Sequence, residues 1–300
     1  MGSSKSSSES IVRYGFGPLA EWSSGRTHKK IADEGLLWYE WYVNLQRAKV
    51  VSVGERVRQG SMQPTYMDIA LSDGSRFSAI CKFPTRKNMA PVESVINEWV
   101  GSQAAQVAGV QVPDSYIVEV SPSVQLHLIE RHGIAVASPF GFASRVCPID
   151  AIVYPSTLCA MDPEDLMRLF CFDMLFINAD RTPYNPNCGH NKRKLFAYDF
   201  GSALLSPKTS PKNFDRFFFG GGMSDRASAH LCKDYISSAE LAGRVLSEMI
   251  EKVHKNRWYA NIGLKHLPQQ LQDHMGLVVE YIDYLAQERN MVCGQVVSTI

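Results

Sequence analysis

Between residues 48 and 83 apolar and polar positions alternate, and after residue 148 the apolar positions recur at helical spacing. The alternation predicts strands over Lys49–Val53, Tyr66–Leu71 and Arg76–Phe83, with Asp73-Gly74 turning the last two into a hairpin. Residues 91–107 read as a helix with Val92, Val95, Ile96, Trp99 and Val100 along one side. Val112-Pro113 leads into a strand over Tyr116–Val120, and Gln125–Glu130 is expected to be another. A connection rich in Gly, Pro and Ser follows over 133–148. Asp162-Pro163-Glu164 is a helix start, with Asp as the cap and Pro in the first turn; that helix should run through Phe172 towards Met174–Ile177. Further helices are expected over 237–257 and 268–289.

A strand-rich first half and a helical second half predict an α+β protein of two lobes meeting near residues 140–150. The expected divisions are a disordered tail over 1–10, an N-terminal extension over 11–47, a first lobe over 48–145 and a helical lobe over 146–300. The tail, Met1-Gly2-Ser3-Ser4-Lys5-Ser6, is low in complexity and also matches the N-myristoylation pattern through Gly2 and Ser6. Trp38, Tyr39, Trp41 and Tyr42 place an aromatic stripe on a helix over 31–47 that would pack on a neighbouring lobe. No internal repeat is visible.

Composition narrows the class. A hydrophobic fraction of 45% and a charged fraction of 20% describe an ordinary globular chain, and a net charge of +1 gives no electrostatic case for nucleic acid. No apolar run approaches a membrane span and no signal peptide is evident, so a soluble protein is expected. Seven cysteines without a Cys-x-x-Cys pair favour free thiols and a cytoplasmic location. Cys188 and His190 alone do not make a metal site.

The chemistry concentrates in two runs. Leu175-Phe176-Ile177-Asn178-Ala179-Asp180 carries an apolar stretch into an Asp, and Asn185 follows. Leu195-Phe196-Ala197-Tyr198-Asp199-Phe200-Gly201 then puts a second Asp at the end of a short apolar strand. Phosphoryl transfer from ATP needs one carboxylate to orient and deprotonate a hydroxyl, and an Asn with a second carboxylate to hold Mg²⁺. Taken singly, an Asp after an apolar run can be a helix cap and Asp-Phe-Gly an ordinary turn.

Upstream features fall in the order an ATP-binding lobe requires. Gly60-Ser61, in the turn Gln59–Thr65, could lay backbone N–H groups and a hydroxyl against phosphate. Lys82 stands among apolar strand residues, where it either faces water on an edge or holds the α/β-phosphates. Glu98, on the following helix, would anchor Lys82 by an ion pair, with Glu93 as the competing candidate.

These residues resemble the HipA-like kinases, distant relatives of the phosphoinositide kinases. The resemblance runs over roughly 55–205 and rests on Asn178-Ala179-Asp180-Arg181, Asn185-Pro186-Asn187, Tyr198-Asp199-Phe200-Gly201-Ser202-Ala203, Gly60-Ser61, Lys82, Asn97-Glu98, Val112-Pro113 and Phe142-Ala143-Ser144-Arg145. It implies a protein-kinase-like fold. Asp180 would be the base or the hydroxyl-orienting group, Asn185 and Asp199 the Mg²⁺ ligands, Lys82 the phosphate clamp and Glu98 its orienting partner. Gly60 and Ser61 would cover the phosphates, and Ser144 and Arg145 would line the nucleotide site at the hinge. Asn187 could replace Asn185, and Arg181 would either stabilise phosphoryl charge or brace the loop. The chain departs from the family pattern at Thr182, where His is common, at Ala143, where Gly is usual, and at Phe200, where His is frequent.

The expected activity is Mg²⁺-ATP-dependent transfer to a Ser or Thr of a protein substrate. The alternatives are a lipid or small-molecule kinase and a nucleotide-binding module without turnover. Lys192-Arg193-Lys194 is the compact basic run a lipid kinase would use, but a solvated loop explains it better. Ser61 is a candidate for self-phosphorylation, and 206–236, with Phe217-Phe218-Phe219-Gly220-Gly221-Gly222, is a candidate gating segment.

Overall fold

The computed structural model describes residues 47–57, 63–85, 92–204, 222–257 and 269–300, all within the unit Tyr42–Ile300. The tail, the aromatic stretch up to Asn44, Gly60-Ser61 and the Phe217–Gly221 run lie outside the described residues.

Five strands close into a barrel. β1 (Arg47–Arg56), β2 (Thr65–Leu71) and β3 (Arg76–Lys82) form an antiparallel meander, with Gly74 at φ +85° and Asp73 accepting the Ser75 N–H at 2.9 Å in the expected hairpin turn. β5 (Phe140–Arg145) pairs antiparallel with both β3 and β4 (Ser115–Glu119), and β4 closes the ring by parallel pairing with β1. Because strand side chains alternate in direction, Met67, Ile69, Ala79, Cys81, Tyr116, Val118 and Ala143 share one core, capped by Phe83, Leu128 and Ile134. The intervening positions Ile117 and Phe142 turn outwards and pack with Val95, Ile96 and Trp99 of α1 (Val92–Val107) in a second, larger core.

That larger core carries on into the helical half. α3 (Pro163–Leu175) starts where Asp162 accepts the Glu164 N–H at 2.9 Å and buries almost its whole circumference. Around it stand α4 (Gly222–Ala229), α5 (Ala239–Asn256), α6 (Gln269–Gln287) and α7 (Arg289–Val297). In a small sheet, β6 (Ala151–Ile152) precedes α3, while β7 (Cys188–Asn191) and β8 (Lys194–Ala197) carry the chain from the loop after α3 to Asp199. Lys192 and Arg193 form the exposed turn between β7 and β8.

Two expectations need correction. Gln125–Glu130 is no strand: it lies inside α2 (Pro122–His132). Ser121 accepts the Val124 N–H at 3.3 Å, Pro122 opens the first turn, and Gly133 at φ +66° ends the helix by donating to the Ile129 carbonyl. Cap chemistry at both ends outweighs the short apolar alternation between them. The stretch 133–148 is also more than a connection, because it contains β5. Gly141 obscures the strand signal, and the close approach of Phe83 requires it: a Cβ there would lie 2.3 Å from that ring and 2.6 Å from the Lys82 carbonyl oxygen.

Gly141→Ala therefore forces the barrel wall apart. It is expected to lower stability by about 1–3 kcal/mol, as overpacking does, read as a lower urea midpoint; an unchanged midpoint would contradict this account of the glycine.

Candidate active site

The site begins with β3. Lys82 pairs across the ladder with Phe142, so it faces α1 and not the barrel core. There its Nζ forms an ion pair with Glu98 and another with Asp199 Oδ1, at 2.7 Å. Glu98 is thus the partner of Lys82 on α1. The second oxygen of Glu98 accepts the Phe200 N–H at 2.8 Å.

The Asp199-Phe200-Gly201 segment is fastened to α1 at two more points. Gly101 presents a bare backbone to Phe200; a Cβ there would fall 2.5 Å from the Phe200 Cβ. Asn97 donates to the Gly201 carbonyl at 3.4 Å and accepts from His274 of α6 at 2.6 Å. Since the Asn97 amide nitrogen serves Gly201, its oxygen faces His274, and His274 Nε2 carries the proton. Phe200 completes the seam edge-to-face on Phe172 of α3. Asp199 itself has φ +63°, a left-handed conformation that aims its carboxylate at Lys82.

Exposure grades across the cluster: the side chain of Glu98 is 1% exposed, that of Lys82 11% and that of Asp199 38%. Burial pushes the Glu98 carboxyl up to about 7, with Lys82 only partly opposing it. Burial also works against the charge on Lys82 and Asp199, but Glu98 and then Asp199 hold the lysine above its usual value, and Lys82 holds the aspartate below its own. Asp199 is therefore the ionised, partly open edge of the cluster.

The Asp180 loop is built on a different buried charge. Asp173, in the last turns of α3, is fully buried and accepts from Arg181 Nε at 2.6 Å, Asn178 Nδ2 at 2.9 Å and His230 Nε2 at 2.9 Å. The Cys232 N–H donates to His230 Nδ1 at 3.0 Å, which fixes the imidazole as the tautomer that gives its Nε2 proton to Asp173. Burial raises the Asp173 carboxyl, but Arg181 and His230 outweigh it and the net direction is down.

Arg181, 1% exposed, sends Nη1 to the carbonyls of Pro186 (3.2 Å), Asn187 and Tyr198 (3.4 Å) and lies over the Phe200 ring. Of the two roles open to it, this burial assigns bracing. Asn178 Oδ1 accepts the Asp180 N–H at 3.4 Å, Asn185 Nδ2 donates to the Asp180 carbonyl at 3.1 Å, and Asn187 Nδ2 donates to the Asp180 carboxylate at 3.3 Å. Asn185 is exposed and has its amide oxygen to offer a cation. Asn187 instead touches the carboxylate of Asp180.

Two other expected residues fall on opposite faces of β5. Ser144 pairs with Ile80 and so shares the Lys82 face. Arg145 pairs with Ala79 and turns the other way, its guanidinium 4.9 Å above the Phe77 ring and 3.5 Å from Asp114. The structure does not bring Arg145 to the cluster. Asp173, His230 and His274 belong to no motif in the sequence: an Asp inside an apolar helix is the available signal for the first, and nothing local marks the histidines.

The sequence model of the HipA-like kinase family matches residues 50–276, and the chain belongs to that family. Solved structures similar to it include the Helicobacter pylori proinflammatory kinase CtkA, at 12% identity and a TM-score of 0.47, covering 83% of this chain and 95% of that one. Another is the kinase domain of Mycobacterium tuberculosis PknI, C20A mutant, at 11% identity and a TM-score of 0.29, covering 79% and 94%. No curated protein sequence matches the chain.

Two predictions test the buried charges. A carboxyl that holds its proton more tightly folded than unfolded destabilises the fold as pH rises through the interval between the two values. For Glu98 that interval runs from 4.5 to about 7, while Lys82 and Asp199 stay charged throughout it. Between about pH 5 and pH 8 the wild type should thus lose on the order of 3 kcal/mol relative to Glu98→Gln; equal pH slopes in urea unfolding would refute the assignment. Arg181→Met, which strands the Asp173 carboxylate, should cost about 3–5 kcal/mol. Asp173→Asn added to it should return much of the loss, and a single variant as stable as wild type would remove Arg181 as the brace.

Proposed function

We propose that the chain is a Mg²⁺-ATP-dependent kinase that phosphorylates a Ser or Thr hydroxyl of a protein. The observation that carries this reading is Lys82 held between buried Glu98 and half-open Asp199, with Asp180 and Asn185 in one braced loop. The two-lobed division at about residue 145, with nucleotide bound between a strand-rich and a helical lobe, belongs to the same proposal, as does a cytoplasmic location. All seven cysteines are free, which suits a reducing compartment. No helix among the described residues is long and apolar enough to cross a membrane.

The available donors suit magnesium. Asp199 and Asn185 offer hard oxygens, and the described residues contain no group of three or more His, Cys, Asp or Glu side chains that could cage a metal. A small cation that completes its shell with phosphate oxygens and water needs no such cage. When bound, the metal would neutralise charge on the phosphates.

The residues divide the remaining work. Lys82, kept protonated by its two carboxylates, presents a fixed positive charge to the α- and β-phosphates. Glu98 holds that ammonium in place, so little reorganisation accompanies nucleotide binding. Asp180 accepts a hydrogen bond from the incoming hydroxyl and takes its proton as the acceptor oxygen bonds to the γ-phosphorus. The bond from that phosphorus to the β,γ-bridging oxygen breaks, and ADP leaves with the bridging electron pair. Asn187 keeps the Asp180 carboxylate aimed.

Radiolabel transfer from γ-labelled ATP to protein, by the purified chain with Mg²⁺, tests the proposal. Asp180→Ala and Asp199→Ala should each lower transfer by at least about 100-fold, the scale of general-base and charge-stabilising groups. Asp180→Ala should leave Mg²⁺-ATP binding intact, and Asp199→Ala should weaken it. Mg²⁺-ATP binding with no transfer would favour a nucleotide-binding module; no binding would overturn the reading.

A further inference from the structure

Tyr184 is 99% exposed, more than any other large apolar side chain among the described residues. It is nonetheless rigidly mounted. Thr182 and Asn185 exchange both backbone hydrogen bonds at 3.1 Å, closing Pro183-Tyr184 into a two-residue turn. The Asn185 N–H also reaches Thr182 Oγ1 at 3.2 Å, and the Asn185 side chain ties the turn to the Asp180 carbonyl. Buried Arg181 holds the floor of the loop.

A lone exposed aromatic elsewhere on a surface would need no explanation. Here the place decides. The ring projects from the turn joining Asp180 to Asn185, so a hydroxyl that reaches Asp180 carries its neighbouring groups past this side chain. A small molecule is normally enclosed by concave walls. A ring standing free on a braced turn instead suits a macromolecule that lies across it, and tyrosine gives large contact area with few rotors to immobilise.

We propose that Tyr184 is a specificity-determining residue: its ring face receives a flat side chain, arginine or aromatic, that flanks the phosphoacceptor in a protein substrate. The proposal rests on the kinase reading above and narrows it to a peptide acceptor with a stacking residue near the reacting Ser or Thr.

The test is a positional-scanning Ser/Thr peptide library phosphorylated by the full chain with Mg²⁺ and γ-labelled ATP. Wild type, Tyr184→Ala, Tyr184→Phe and Asp180→Ala are run together. The wild type should prefer Arg or an aromatic at one flanking position by about 3- to 20-fold, the range a cation–π or stacking contact supplies. Tyr184→Ala should lose that preference while keeping its Mg²⁺-ATP affinity and its rate on peptides lacking the preferred residue. Tyr184→Phe, which keeps the ring face, should retain it. Identical profiles for wild type and Tyr184→Ala would overturn the inference and leave the kinase reading standing. Loss of Mg²⁺-ATP binding in Tyr184→Ala would make the residue structural and overturn it as well. No Asp180-dependent labelling of any peptide by a wild type that binds Mg²⁺-ATP would overturn the inference together with the protein acceptor.

Discussion

The site depends first on one buried carboxylate. Glu98 has almost no contact with water, and each of its oxygens is committed: one to the Lys82 ammonium, the other to the Phe200 N–H. An isolated carboxylate in that position would be unfavourable by several kcal/mol. The requirement that both oxygens be satisfied therefore fixes three elements at once. β3 must present Lys82 outwards, α1 must turn Glu98 towards it, and the chain after β8 must bring Phe200 N–H within reach. Gly101 and the Asn97–Gly201 bond serve the same constraint by letting that segment lie flat on α1.

Asp173 organises the other half of the site by the same physics with a different outcome. Around Glu98 the positive charge is shared between two carboxylates, and one of them stays partly open to solvent. Around Asp173 the carboxylate is fully paired, by Arg181 and His230, and sealed. The first arrangement leaves charge exposed where a ligand can use it, whereas the second converts charge into rigidity. Arg181 spreads that rigidity by gripping carbonyls on both sides of the loop, from Pro186 to Tyr198. Phe200, lying under Arg181 and against Phe172, connects the two arrangements physically.

Much of this was legible in the residue order because the chemistry is local. Lys82 is a charge in an apolar strand, Glu98 lies on the next helix, and Asp180, Asn185 and Asp199 fall in short recognisable runs. The period of two along β5 was legible only with the register known, which is why Arg145 was expected beside Ser144 in a site that their shared strand divides. The helix Pro122–His132 resembles a strand in sequence because its apolar positions alternate briefly, while the decisive information sits in the caps, Ser121 and Gly133. His230 and His274 were invisible for a different reason. Each gains its role from a partner 57 or 177 residues away, and no local pattern encodes such a distance.

The His274–Asn97 bond also bears on how the Glu98 helix is controlled. α1 lies on the outside of the barrel, where a helix held only by the barrel wall could swing and withdraw Glu98 from Lys82. Here α6 reaches across from the helical half, and His274 docks on the residue next to Glu98. Ile96 and Trp99 enter the same continuous core as Met275, Val278 and Ile282 of α6. The position of Glu98 is thus set from both halves of the molecule, by the ion pair on one side and by helix packing on the other. Displacing α1 would require breaking a buried ion pair, a backbone hydrogen bond and an apolar contact together. That coupling makes the Lys82–Glu98 pair a built-in property of the folded chain, with Asp199, Asn185 and the Pro183-Tyr184 turn as the exposed edge beyond it.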